Sequence, residues 1–113
     1  MLVWRIEERE DRYGPYIAGY MDDYKHSQQR PKPVLDGIDG WQTLPEPRFG
    51  CASIEALLEW FTIKELIHFA QAGLVVAEYR VEQAILGKRQ VAFSLDTAER
   101  LAEYNPCELL GHP

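Results

Sequence analysis

The stretch RFGCASIEALLEWFTIKELIHFAQAGLVVAEYRVEQAILGKRQVAFSL, residues 48–95, decides the fold because most of the hydrophobic periodicity of the chain lies within it. Residues 49–52 form a short, small and apolar run, and they predict a buried strand over residues 48–52. A pair of helices is predicted over residues 53–72, and two strand-like runs follow on either side of Gly87. None of these residues forms a high-specificity catalytic or metal motif, so the stretch indicates a fold more directly than a function.

Each helix of the pair begins at a capping signal. Ser53 is a good N-cap because its hydroxyl can accept a hydrogen bond from a free backbone N–H. Thr62 and Glu65 have the spacing of a capping box, which predicts that the chain stops and restarts as a second helix. Gly73 stands where a helix-ending residue is expected. The predicted apolar stripes are Ile54, Leu57, Leu58 and Phe61 in the first helix, and Ile63, Leu66, Ile67 and Ala70 in the second.

Strands are predicted on both sides of this helical pair. Residues 74–81 alternate as a half-buried strand does, residues 82–86 are predicted to be a turn, and residues 90–94 alternate again. The Asp96–Glu99 spacing resembles a capping box and predicts a short helix to residue 102 or 103. Before the pair, residues 2–7 and 16–21 have the pattern of strands.

The remaining segments are predicted to be irregular. Residues 22–48 carry four prolines and two glycines, which predicts a long loop, and residues 105–113 are predicted to be a flexible tail. The fold class is therefore predicted as α+β. It is a single domain, 1–113, with one small, mostly antiparallel sheet of five strands and the helical pair packed on one face.

Charge and composition limit the classes of partner. The 113-residue chain has a formal net charge of −6, which disfavours generic binding to nucleic acid and suits a protein partner with a basic surface. Its N-terminal residues lack a secretory signal pattern, and no apolar run approaches the roughly 20 residues of a membrane span, so we expect a cytoplasmic location and no membrane contact. The two cysteines lie outside any CxxC pattern, and the spacing of Asp22, Asp23 and His26 does not support a metal site.

One set of polar residues invites a ligand-binding hypothesis. Arg5 lies on the first predicted strand and can bind a phosphate with two N–H groups. Ser53 begins a helix, where free N–H groups favour an anion, and Gln90 opens the last strand. The structural alternative is that Arg5 is an ordinary strand-face charge, Ser53 an ordinary cap and Gln90 an edge residue.

The order of these elements resembles a minimal ADP-ribosyltransferase fold. That family has an Arg on its first strand, a Ser-rich strand that leads into a helix, and a catalytic Glu at the start of a later strand. The resemblance matches Arg5 to the Arg and Ser53 to the Ser, and it places Gln90 where the Glu stands. It implies NAD as the cofactor, and it implies an inactive or NAD-binding site, because Gln lacks the charge that stabilises an oxocarbenium-like transition state.

The small size, acidity and scarcity of motifs are also similar to those of small accessory proteins of bacteriophages, including anti-CRISPR proteins. This similarity implies a protein-binding inhibitor or accessory protein that acts by occupying the surface of a partner. The residues expected to contact that partner are Asp22, Asp23, Tyr24, Asp36, Asp39 and Trp41. Two alternatives stay open: an ADP-ribosyltransferase-like protein that binds NAD and is either active or degenerate, and a structural or regulatory subunit of a complex.

Overall fold

Two antiparallel three-stranded sheets and three α-helices make up the part of the chain that the computed structural model describes, residues 1–15 and 36–110. The strands are β1 (Leu2–Glu7), β2 (Pro47–Gly50), β3 (Val75–Arg80), β4 (Ala84–Leu86), β5 (Val91–Ser94) and β6 (Glu99–Tyr104). The helices are α1 (Ile54–Trp60), α2 (Ile63–Gln71) and α3 (Pro106–Leu110). The α+β class and the helical pair are confirmed, but two sheets replace the single sheet that the sequence predicted.

The first sheet has the strand order β1-β3-β6 and the second has the order β2-β5-β4. The sheets meet at Trp4 and Cys51, whose backbones exchange hydrogen bonds of 2.8 and 2.7 Å. Gly50 permits this approach, because a Cβ atom at this position would lie only 2.8 Å from the carbonyl oxygen of Trp4. The second sheet therefore starts beside the edge of the first and continues as a separate layer.

The core consists of two clusters of buried side chains that share β1 and β3. Ile6 and Val76 belong to the cluster that packs against the helices. Val3 and Tyr79 belong to the other cluster, which includes Phe93 of β5. Because successive side chains of a strand point to opposite faces, the first sheet has helices on one face and the second sheet on the other.

The predicted caps of the helical pair are confirmed in atomic detail. Ser53 accepts a hydrogen bond from the backbone N–H of Ala56, and Thr62 and Glu65 form the complete capping box at the start of α2. One predicted apolar stripe is wrong in part, because the side chains of Ile63 and Ile67 are 64% and 40% exposed. The buried face of α2 is formed by Leu66 and Phe69 instead.

Two predictions after residue 80 are wrong. Residues 84–86 form β4, which pairs with β5, where a turn was predicted. Residues 99–104 form β6, which pairs with β3, where a helix was predicted. The exposure of side chains along β6 alternates residue by residue, so its period of two and the edge of β3 override the local capping signal.

The predicted flexible tail also contains regular structure. Asn105 accepts a hydrogen bond from the backbone N–H of Cys107 at 2.8 Å, and Pro106 occupies the first position of α3, where its missing N–H costs nothing. Leu109 is buried in the cluster that contains the helical pair. This contact attaches α3 to the core.

The predicted strand at residues 16–21 and residues 22–35 of the predicted loop lie outside the described residues. Within the described ranges, no helix is both long enough and apolar enough to cross a membrane.

Candidate functional site

A cavity of about 380 Å³ lies between β2, α1 and the turn that follows β1. The residues at Gly14 and Pro15 form one side, and the strand residues from Pro47 to Cys51 form another. Four aromatic side chains line it: Trp41, Phe49, Trp60 and Phe61. This size falls within the roughly 300–1,000 Å³ of typical small-molecule sites.

Aromatic contacts hold the walls of this cavity in place. The rings of Trp41 and Phe49 meet edge to face, with their centroids 5.1 Å apart. Phe61 makes the same type of contact with Phe69 of α2, at 5.2 Å. Trp41 is only partly buried, whereas Trp60 and Phe61 belong to the core. Trp41 therefore connects the cavity to the surface of the protein.

Arg5 supplies a charged group to the cavity, although its side chain is only 5% exposed. Its Nη1 donates a hydrogen bond to the carbonyl oxygen of Phe49 at 3.2 Å. Its Nε lies 3.1 Å from a carboxylate oxygen of Glu7. Burial lowers the pKa of the Arg5 guanidinium to about 10, while the neighbouring Glu7 carboxylate opposes this change. Arg5 therefore stays protonated at neutral pH.

Glu7 is the centre of a buried polar network behind Arg5. Its side chain is fully buried, and Tyr79 donates a hydrogen bond of 2.7 Å to its Oε2. The same oxygen lies 3.2 Å from Nη2 of Arg100 on β6. Burial and the hydrogen bond to Glu7 raise the pKa of Tyr79 well above its usual value. One carboxylate thus balances two guanidinium groups and joins the three strands of the first sheet.

The carbonyl oxygen of Arg12 bonds to both Arg5 and Arg48, and it thereby brings the two guanidinium groups close together. It accepts from Nη2 of Arg5 at 3.5 Å and from Nε of Arg48 at 3.3 Å. Arg12 has a φ of 61°, in the left-handed region that only a few per cent of non-glycine residues adopt. The guanidinium of Arg48 also lies 5.4 Å from the centre of the Tyr13 ring. A strained turn thus holds two positive side chains side by side at the cavity.

Gln90 lines the same cavity as Arg5 and is only 8% exposed. It also lines a second cavity of about 260 Å³ between α1 and the turn that joins β4 to β5. Asp36 holds that turn, because its carboxylate accepts hydrogen bonds from the backbone N–H groups of Arg89 and Gln90, each at 2.9 Å. Asp36 is 1% exposed, so the residue predicted to contact a partner lies inside the protein.

The three residues of the ligand-binding hypothesis are brought together in part. Arg5 and Gln90 line one cavity, but Ser53 is not among the residues that line it. The hydroxyl of Ser53 is occupied as the cap of α1, where it accepts from Ala56 at 3.1 Å. Cys51 also lines the cavity, and burial raises the pKa of its thiol to about 12, so the thiol is protonated at neutral pH. No group of three His, Cys, Asp or Glu side chains that could hold a metal occurs among residues 1–15 and 36–110.

Of the residues predicted to contact a partner, Asp39 is exposed and Trp41 is partly exposed beside the cavity. Asp22, Asp23 and Tyr24 lie outside the described residues. Sequence reasoning missed Glu7 and Arg48 as parts of the site. The available signal for Glu7 was that it shares a strand face with Val3 and Arg5, which suggests a charge pair within a buried face.

Comparison with known proteins adds one finding. A protein-family model described as Bacteriophage T4 Y00F protein matches residues 1–107. Searches of curated proteins and of solved structures found no match. The match indicates a small phage protein, and it points to neither an ADP-ribosyltransferase-like fold nor an anti-CRISPR type. The chain belongs to the bacteriophage T4 Y00F protein family.

Proposed function

We propose that this phage protein is a non-catalytic accessory protein that acts in the cytoplasm by occupying the surface of a protein partner. The observation that carries the proposal is the position of Trp41, which is partly exposed at an aromatic cavity and held there by Phe49. Tryptophan is enriched among the residues that contribute most to binding at protein interfaces. Membership of a phage family fits an accessory role.

The chemistry of the cavity favours binding over catalysis. In the part of the chain that the structure describes, the polar groups that line it include two guanidinium groups, one amide and a thiol whose pKa is raised to about 12. A general acid or base works best with a pKa near the operating pH, and the pKa values of Arg5 and Cys51 are about 10 and about 12. Arginine and amide groups are well suited to hold a bound group in one orientation.

The exposed charges outside the cavity favour a partner with a basic surface. The carboxylates of Asp39 and Glu46 are exposed close to Trp41 in the chain, and the whole protein has a net charge of −6. Such charges act mainly on the rate of association and are screened by salt. Inhibition of a host defence complex, as anti-CRISPR proteins achieve, is one form that this activity can take.

A second candidate function is NAD binding without catalysis. It is favoured by the presence of Arg5 and Gln90 at one cavity. It is weakened by Ser53, which is used as a helix cap and lies outside the lining of that cavity. A calorimetric titration with NAD tests it, and the absence of heat at millimolar NAD would remove it.

The test of the proposed function compares three forms of the protein: wild type, Trp41→Ala and Ile63→Ala. Ile63 is the matched control, because it is an exposed apolar residue that does not line the cavity. Each tagged form is incubated with lysate of a bacterial host of the phage, the retained proteins are identified by mass spectrometry, and one retained protein is then purified for direct affinity measurements. Circular dichroism verifies that all three forms are folded.

We expect a partner that binds wild type and Ile63→Ala equally and binds Trp41→Ala at least tenfold more weakly, since interface hot spots cost about 2 kcal/mol or more. The affinity should also fall as salt rises. Failure to retain any host protein specifically, or equal binding of Trp41→Ala, would refute the proposal.

A further inference from the structure

The cavity has a local charge opposite to that of the whole protein. Its lining contains Arg5 and Arg48 and, among the described residues, no carboxylate. Glu7 pairs with Arg5 and Glu46 pairs with Arg48, but neither carboxylate lines the cavity. The charged groups that face the cavity in the described residues are therefore positive, although each guanidinium has an acidic neighbour.

Arg5 retains the donors that an anion needs. A guanidinium has five N–H groups, two on each terminal nitrogen. In the described residues, Nη1 donates to Phe49 and Nη2 donates to Arg12, so each terminal nitrogen keeps a second N–H. Two neighbouring N–H groups of one guanidinium match the two oxygens of a carboxylate. The low exposure of Arg5 strengthens such a bond, because water competes poorly at a buried site.

The remainder of the cavity suits a flat apolar group. Trp41, Phe49, Trp60 and Phe61 provide ring faces and edges, against which another aromatic ring packs favourably. The backbone at Gly50 and the side chain of Leu57 complete an apolar surface. A single ring with a short acidic side chain fits this combination of aromatic wall and buried guanidinium.

We propose that this cavity binds an aromatic carboxylate, with the ring between the aromatic walls and the carboxylate at Arg5. The planar fork of the Arg5 guanidinium matches the two oxygens of a carboxylate, and the aromatic walls leave room for a single ring. Such a ligand has two sources, a free small molecule or the C-terminal aromatic residue of a polypeptide. The inference goes beyond the proposed function, because it assigns ligand chemistry to the cavity independently of any protein partner.

The test uses ligand pairs that differ only in charge. 3-Phenylpropionate and its amide are titrated into the wild-type protein, and binding is followed by the fluorescence of Trp41 and Trp60, which line the cavity. A charge-assisted hydrogen bond contributes about 1.5–3 kcal/mol, and about 1.4 kcal/mol corresponds to a tenfold change in affinity. We therefore expect the acid to bind about tenfold more tightly than the amide. Equal binding of acid and amide, or no binding at millimolar concentration, would overturn the proposal.

A second pair identifies the source of the ligand. A short peptide that ends in phenylalanine is compared with the same peptide carrying a C-terminal amide. Binding of the free acid peptide far more tightly than 3-phenylpropionate supports a polypeptide terminus, and the opposite order supports a small molecule. This pair requires no change to the protein, so a failure to fold cannot confuse the result.

Variants of Arg48 add a protein-side test. Arg48→Gln should reduce the preference for the acid several-fold, and Arg48→Lys should keep most of it, since Arg48 acts through its charge beside the Arg5 guanidinium that holds the carboxylate. Arg80→Gln is the control, because Arg80 is 63% exposed and pairs with Glu99 outside the cavity. An unchanged acid preference in Arg48→Gln would contradict the assigned site. Loss of partner binding in Trp41→Ala together with no acid preference would overturn this inference alone and leave the proposed function intact.

Discussion

Replacement of Asp36 by alanine should destabilise the protein strongly, although Asp36 has the sequence context of a loop. The side chain is 1% exposed, and its carboxylate accepts hydrogen bonds from the backbone N–H groups of Arg89 and Gln90 at 2.9 Å. The backbone carbonyl of Asp36 also accepts from Lys88 at 2.8 Å. Residue 36 thus holds the turn between β4 and β5 in place from more than 50 positions away in the chain.

The size of the effect follows from these contacts. Alanine leaves the N–H groups of Arg89 and Gln90 without their acceptor, and Gln90 is buried. Each hydrogen bond to this charged carboxylate contributes about 1.5–3 kcal/mol, with the lower value for the exposed Arg89, and the two contributions add. We therefore expect Asp36→Ala to lower the free energy of unfolding by about 3–5 kcal/mol. Asp36→Asn keeps one acceptor oxygen but loses the charge, and it should lower the free energy by about 1.5–3 kcal/mol.

The assay is urea unfolding followed by circular dichroism and by tryptophan fluorescence. Asp39→Ala is the matched control, because Asp39 is an exposed carboxylate three positions away, and we expect a change within about 0.5 kcal/mol. At about 4 °C per kcal/mol, Asp36→Ala should also lower the melting temperature by roughly 12–20 °C. A free energy of unfolding for Asp36→Ala within about 1 kcal/mol of wild type would refute the role given to this carboxylate.

Three further predictions concern the core. Gly50→Ala should lower the free energy of unfolding by about 1–3 kcal/mol in a urea titration, because its Cβ would lie 2.8 Å from the backbone oxygen of Trp4; a cost below about 0.5 kcal/mol would argue against this close approach. In the same titration, Phe69→Ala should lower the free energy of unfolding by about 3–5 kcal/mol, because Phe69 is fully buried, and Ile67→Ser should lower it by less than about 0.5 kcal/mol, because Ile67 is 40% exposed. Similar values for the two variants would contradict the assignment of the buried face of α2. Burial raises the pKa of the Cys51 thiol to about 12, so as the pH rises the thiol is deprotonated in the unfolded chain before it is in the folded protein. The stability that Cys51 provides is therefore complete below about pH 8.5 and is lost as the pH rises towards 12. Urea midpoints at neutral and alkaline pH should show this fall in wild type and a smaller one in Cys51→Ala, and an identical fall in both would exclude Cys51 as its source.

The helical pair was predictable because its signals are local. Ser53 bonds to a residue three positions away, and Thr62 and Glu65 satisfy one another across one helical turn. Such hydrogen bonds depend only on neighbouring residues, so the residue types and their spacing are sufficient to indicate them. The strands β1, β3 and β5 were predictable for the same reason, since a period of two in hydrophobicity is visible within a few residues.

Strand β6 was not predictable from its local signal. The spacing of Asp96 and Glu99 is the same as that of Thr62 and Glu65, yet only the second pair begins a helix. The difference is what each segment packs against, because residues 99–104 complete the first sheet at the open edge of β3. A capping signal of about 1 kcal/mol is smaller than the backbone hydrogen bonds and cross-strand pairs of a six-residue strand.

The candidate site was predictable only in part because its contacts are long-range. Arg5 and Gln90 were singled out for the types of their side chains, and the fold places both at one cavity. The burial of Glu7 depends on Tyr79 and Arg100, which come from two other strands. Asp36 has no local feature that separates it from the exposed Asp39, so its role follows only from the position of the β4–β5 turn.

The position of β3 between β1 and β6 has a consequence for folding during synthesis on the ribosome. Synthesis proceeds from the N-terminus, so β1 has no strand partner until β3 has emerged, and β3 keeps an open edge until β6 follows. Until then the buried carboxylate of Glu7 also lacks Arg100. The first sheet therefore cannot be completed, and its buried network cannot form, until residue 104 has left the ribosome.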